Sequence, residues 1–60
     1  MASEMRFTEV RRMLEEKGWG LVRISGSHHI FKKIGVPYPL SIPVHGGKVK
    51  AVYVRKIGKL

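Results

Sequence analysis

The stretch that decides the fold is residues 19–33, which read WGLVRISGSHHIFKK. Both halves are rich in β-branched and aromatic residues, and the pair Gly26-Ser27 lies between them. Two such runs joined by a two-residue turn that contains glycine are typical of an antiparallel hairpin. We therefore predict one strand that ends before Gly26 and a second strand from His28 to Lys33.

An amphipathic helix is predicted on the N-terminal side of this hairpin. Phe7, Val10 and Leu14 recur at spacings of three and four, and charged residues fill most of the positions between them, as on a helix that covers a core. Gly18 is expected to end this helix, because glycine adopts the backbone conformation of a helix C-terminus at little cost. Residues 1–5 precede the pattern, and we expect them to form a disordered leader.

A third strand and a second helix are predicted on the C-terminal side. The alternation of Leu40, Ile42 and Val44 indicates the strand, and Gly46-Gly47 then interrupts the chain. Apolar residues next recur at helical spacing, at Val49, Val52, Tyr53, Ile57 and Leu60. The order α-β-β-β-α predicts a single α+β domain over residues 6–60, in which both helices cover one face of a small antiparallel three-stranded sheet.

The size and composition of the chain limit the kinds of function it can have. A domain of 60 residues buries only about 60% of the surface that its unfolded chain exposes, so an open site for a polymer is more plausible than an enclosed cavity. The chain has no cysteine, which excludes disulfides and thiolate metal sites. Its apolar runs are too short for a membrane span or a signal peptide, and we expect a soluble cytoplasmic protein.

Charge is distributed very unevenly along the chain. The formal net charge is +8, and the four acidic residues all lie within the first sixteen positions, whereas nine lysines and arginines follow with no acid among them. Phosphate is the commonest partner of such a surface, so we predict nucleic-acid binding. Plain solubility and an anionic membrane surface are the alternatives. The expected phosphate contacts are Lys32, Lys33, Lys48, Lys50 and Arg55.

Two adjacent histidines, His28 and His29, open the second predicted strand. Side chains alternate along a strand, so the two rings should point to opposite faces. If Phe31 fills the core, His29 lies half-buried on the helix-covered side and His28 faces outward. Together with His45 they do not predict a metal site, because neighbours on opposite faces cannot converge on one ion and no carboxylate follows Glu16.

An outward histidine on a basic surface is compatible with metal-free cleavage of RNA. Imidazole exchanges protons near neutral pH, and lysine or arginine stabilises the charge that develops on the phosphate. The reaction needs the ribose 2′-hydroxyl, so it would act on RNA and not on DNA. The residues leave three hypotheses open: a ribonuclease that uses His28, a non-catalytic RNA-binding module of the same fold, and a DNA-binding accessory protein.

Three segments carry a resemblance to a known family. They are residues 7–19 (FTEVRRMLEEKGW), 21–31 (LVRISGSHHIF) and 41–45 (SIPVH), and they resemble the successive blocks of the HicA toxins of bacterial toxin–antitoxin systems. The block G-S-H after a short strand is the most distinctive part. The resemblance implies a fold like the double-stranded RNA-binding domain, mRNA cleavage without a metal or other cofactor, and a catalytic histidine that corresponds to His28.

The resemblance also implies a protein partner, the antitoxin HicB, which binds the toxin and blocks its active surface. An acidic antitoxin would fit the charge of this chain. The last segment, residues 48–60, is shorter than the Leu-rich final helix of many members. His45 matches a recurrent position of the third strand, and we interpret it as a structural or phosphate-contacting residue.

Overall fold

A computed structural model describes residues 3–60 of the chain. It contains two helices and five strands. In chain order these are β1 (Met5–Arg6), α1 (Phe7–Glu16), β2 (Trp19–Ser25), β3 (His28–Lys33), β4 (Leu40–Pro43), β5 (Lys48–Val49) and α2 (Ala51–Gly58).

The main sheet is antiparallel with the strand order β2-β3-β4, as predicted. Ser25 pairs with His28 across the turn, and Gly26 has a φ of +60°. This turn belongs to the kind that needs a positive φ at its first central residue, which glycine supplies without strain. Phe31, in the middle strand, pairs with Leu21 on one side and Leu40 on the other.

A bulge interrupts β2 between Leu21 and Arg23, and the regular alternation of side chains along a strand is broken there. Leu21 pairs with Phe31, but Arg23 pairs with Ile30. The extra residue, Val22, therefore moves Arg23 to the face opposite that of Leu21, because each added residue reverses the side to which the following side chains point.

Both helices contribute to one core on the same face of the sheet. Val10 and Leu14 of α1 and Ile57 of α2 are buried, and the sheet contributes the buried side chains of Trp19, Phe31 and Ile42. Val49 of β5 completes this cluster. The predicted α+β architecture, with two helices over a three-stranded antiparallel sheet, is confirmed.

A second ladder, between β1 and β5, was not predicted. Met5 pairs with Val49 and Arg6 pairs with Lys48, so Met5 lies in a strand and not in the expected leader. Ser3 and Glu4 have no regular structure, and residues 1 and 2 lie outside the described part of the chain. Strands of two residues are too short to show a period in the sequence, and their stability comes from backbone pairing.

The second helix also begins later than predicted. Val49 belongs to β5, and α2 starts at Ala51. Of the predicted apolar stripe, Ile57 is buried, whereas Val52 is 43% exposed and Leu60 is 53% exposed. Val49 was assigned to the helix because it lies three residues before Val52, which is a helical spacing. The residue is instead buried as part of β5.

The short ladder holds the start of the first helix in place. Arg6 precedes α1 without a side-chain hydrogen bond to the first turn. Instead, the backbone N–H of Phe7 donates to the carbonyl oxygen of Gly47 at 2.8 Å. This contact satisfies one of the amides that every helix N-terminus leaves without an internal partner. Neither α1 nor α2 is long and apolar enough to cross a membrane, and residues 3–60 contain no other helix.

Candidate functional site

The two adjacent histidines occupy different environments, as predicted. Phe31, two residues beyond His29, is fully buried, and the His29 ring packs against Phe7 of α1 with a centroid distance of 4.3 Å. The Nδ1 atom of His29 also lies 3.4 Å from the carbonyl oxygen of Ser27. His28 is exposed at the start of β3. Its side chain therefore lies on the face of the sheet that the helices leave uncovered.

His28 borders a shallow groove of about 330 Å³ at the end of the sheet. His28 and Pro43 form one wall of this groove, because they are direct partners in the pairing of β3 with β4. The pairing continues beyond β4, where the N–H of Val44 donates to the carbonyl oxygen of Ser27 at 2.7 Å. The residues that line the groove are His28, Pro43, His45, Lys50, Val52 and Tyr53.

A tight turn supplies the other wall of the groove. His45 and Lys48 exchange two backbone hydrogen bonds of 3.0 Å, and between them Gly46 and Gly47 have φ angles of +58° and +74°. Two successive positive φ values are the requirement of a type I′ turn, and glycine meets it without strain. The chain is thereby reversed within two residues. Lys50 and the first turn of α2 consequently reach the same groove as His28.

The groove combines two imidazoles and one ammonium group with no carboxylate. Among residues 3–60, salt bridges join Arg11 to Glu15 at 3.1 Å and Glu4 to Lys48 at 4.0 Å, and neither involves Lys50. The same part of the chain contains no group of three or more His, Asp or Glu side chains arranged as metal ligands. The groove therefore offers an ammonium group and two imidazoles to an anionic ligand.

The remaining predicted phosphate contacts lie outside this groove. Lys32 lies on the uncovered sheet face and, with Arg23, borders a second shallow depression of about 310 Å³. Lys33 pairs with Trp19 in the neighbouring strand and packs its methylene groups near Gly18. Lys48 lies in β5 beside Glu4, and Arg55 is exposed on α2. Of the five predicted residues, the structure brings only Lys50 to the groove of His28.

Three further side chains lie at these surfaces: His45, which was interpreted as structural or phosphate-contacting, and Tyr53 and Arg23, which were not predicted as functional. His45 faces the groove, and its only signal in the sequence was its place in the block SIPVH. Tyr53 was assigned to the apolar face of the helix, although it also lines the groove. Arg23 reaches the uncovered face through the bulge in β2, which no sequence pattern indicates.

Comparison with known proteins identifies the family. The family model described as the HicA toxin of bacterial toxin–antitoxin matches residues 7–60, which is all of the chain except its first six residues. Comparisons with curated proteins and with solved structures gave no match. The matched range contains both helices, the three strands of the main sheet and the groove beside His28. The chain therefore belongs to the HicA toxin family of bacterial toxin–antitoxin systems.

Proposed function

We propose that this toxin is a metal-independent endoribonuclease that cleaves mRNA and uses His28 as a catalytic residue. One observation carries the proposal: the exposed ring of His28 shares a groove with Lys50. The surrounding molecule has a formal net charge of +8, which favours a polyanionic substrate.

The groove offers the two kinds of group that RNA transesterification needs. The 2′-hydroxyl attacks the adjacent phosphorus, and an imidazole takes up or supplies a proton during this step. Negative charge accumulates on the non-bridging phosphate oxygens in the transition state, and the ammonium group of Lys50 stabilises it. Deoxyribose has no 2′-hydroxyl, so DNA would bind without being cut.

The uncovered face of the sheet offers a path for the rest of the strand. Ile30 and Lys32 follow His28 at intervals of two along β3, so their side chains share one face. Four residues of extended chain place Lys32 about 13 Å from His28. We propose that Lys32 contacts phosphates along this path, and that Lys33, Lys48 and Arg55 contact phosphates outside it.

The same basic surface fits an acidic protein partner. Complementary charge speeds association and favours the correct partner. We propose that a HicB-like antitoxin covers the groove in the cytoplasm and thereby excludes RNA. Because His28 is exposed, a partner can cover its ring without any change in the fold.

The test compares the parent with His28→Ala on a mixed-sequence single-stranded RNA oligonucleotide in the presence of a chelator. We expect the variant to cut at least about 100-fold more slowly, since proton transfer by a positioned side chain contributes about 10²–10⁴-fold. Binding, measured with an all-2′-deoxy version of the oligonucleotide, should stay within about twofold of the parent. Lys59→Ala is the control, because this exposed residue lies beyond the end of α2 that is distant from the groove.

The outcome separates the proposed activity from its alternatives. Equal cleavage by the parent and by His28→Ala would show that His28 is not the catalyst. If the parent retains RNA without cutting it, the protein is an RNA-binding module. Equal affinity for DNA and RNA of the same length, with no cleavage, would indicate a DNA-binding accessory protein.

A further inference from the structure

We infer that His45 is a second catalytic residue, which transfers a proton in the opposite sense to His28 during the same cleavage. This inference rests on the proposed ribonuclease function. It adds that one imidazole acts as the general base, which removes the proton of the 2′-hydroxyl, and the other acts as the general acid, which protonates the leaving oxygen.

The strand register brings the two imidazoles to the same groove. Pro43 is the direct partner of His28, and His45 follows Pro43 by two residues. Side chains two residues apart in an extended segment share a face, and diagonal neighbours across an antiparallel pair are about 7–8 Å apart. The hydrogen bond from Val44 to Ser27 keeps this segment beside β3. Both rings consequently line the same groove.

The ring of His45 lies outside the hydrophobic core. The residue is exposed, and its pairing with Lys48 uses backbone atoms alone. No hydrogen bond or salt bridge joins its ring to another residue within 3–60. The His45 ring is therefore accessible to a ligand that enters the groove.

Cleavage by this route requires two proton transfers at opposite ends of the reacting phosphate. The bond from O2′ to phosphorus forms while the proton of O2′ passes to a neutral imidazole. The bond from phosphorus to O5′ breaks while O5′ takes a proton from an imidazolium. The products are a 2′,3′-cyclic phosphate and a 5′-hydroxyl, so atoms and charge balance without any further reactant. Two histidines and the Lys50 ammonium supply all the groups that these steps need.

The first measurement is the pH dependence of cleavage by the parent, His28→Ala and His45→Gln. The other titratable groups that line the groove are Lys50 and Tyr53. The base must be neutral, so its protonation lowers the rate at acid pH. The acid must be protonated, so the loss of its proton lowers the rate at alkaline pH. We expect a bell-shaped profile for the parent, and each variant should lose a different limb of it.

The second measurement uses the same RNA oligonucleotide with the leaving 5′-oxygen of the mapped cleavage site replaced by sulfur. Thiolate leaves without protonation, so the variant that lacks the general acid should recover its rate. With ordinary RNA, His45→Gln should be about 10²–10⁴-fold slower than the parent. With the sulfur substrate, we expect one of the two histidine variants to recover to within about tenfold of the parent while the other stays slow. A misfolded variant could not show this selective recovery.

Several outcomes would overturn the inference. If His45→Gln cuts ordinary RNA at the parental rate while His28→Ala does not, the role of His45 is wrong and the proposed function stands. If both histidine variants recover on the sulfur substrate, or neither does, the two residues do not divide acid and base catalysis. If the parent leaves RNA intact in chelator, the proposed function itself fails and the inference fails with it.

Discussion

Two neighbouring histidines lie in different environments in this protein because a strand turns alternate side chains to opposite faces. The His29 ring packs against Phe7 and lies on the side of the core, whereas the His28 ring is exposed beside Lys50. This separation could be predicted from the sequence, because burial of Phe31 fixes the direction of both histidines. The position of His45 could not be predicted in this way, because it depends on the turn at Gly46-Gly47 and on the register of β4.

At the residue scale, the two histidines should respond differently to truncation. His29→Ala removes the ring contact with Phe7, whose centroid lies 4.3 Å away, and we expect it to lower the free energy of unfolding by about 1–2 kcal/mol, since aromatic pairs contribute about 0.5–1.5 kcal/mol beyond their burial. His28→Ala should change this free energy by less than about 0.5 kcal/mol, as exposed substitutions usually do. Urea denaturation followed by tryptophan fluorescence measures both values. Equal destabilisation by the two variants would contradict the assigned orientations.

At the element scale, the parts with a clear period in the sequence were predicted and the parts without one were not. The pattern of Phe7, Val10 and Leu14 predicted α1, and the turn residues Gly26-Ser27 predicted the hairpin, because each element is set by its own side chains. The ladder of β1 with β5 and the bulge in β2 depend on backbone pairing between distant residues. No local pattern of side chains indicates such pairing, so the start of α2 was misassigned and the bulge that turns Arg23 to the uncovered face was not predicted.

The glycine that ends α1 provides a test of how this element is terminated. Gly18 has a φ of +94°, and a Cβ atom added there would lie 3.2 Å from Cε of Lys33. Side chains other than glycine pay about 1–2 kcal/mol in the left-handed region, and we expect Gly18→Ala to destabilise the protein by this amount. In a domain of this size each kcal/mol lowers Tm by about 4–8 °C.

Gly20 offers a matched control for this substitution within the same segment. Its backbone has no positive φ, and an added Cβ would meet no atom within 4 Å. Gly20→Ala should therefore leave Tm unchanged or raise it slightly, because alanine restricts the unfolded chain. Calorimetric Tm values for the two variants would contradict this account if both fell equally.

At the scale of the whole molecule, the acidic residues are confined to the N-terminal segment while basic residues continue along the rest of the chain. The fold then divides these bases among several surfaces. Lys50 lines the groove, Arg23 and Lys32 lie on the uncovered sheet face, and Lys33 packs near Gly18. Net charge alone predicted a polyanionic partner, but it could not show which cations would share a surface, because that depends on strand register.

This division of charge predicts how binding should depend on salt. For single-stranded nucleic acid, the logarithm of the binding constant falls linearly with the logarithm of the salt concentration. The slope is about −0.7 for each phosphate that a cation neutralises. Lys32→Ala should therefore make the slope shallower by about 0.7, because Lys32 lies on the face that continues from His28 along β3. Lys59→Ala should leave the slope unchanged. Both slopes can be measured by fluorescence anisotropy with an all-2′-deoxy oligonucleotide. The salt concentration should run from about 50 to 200 mM, roughly the range over which such contacts weaken markedly. An equal change in the two variants would show that the strand follows no defined path and that the cations act only through their total charge.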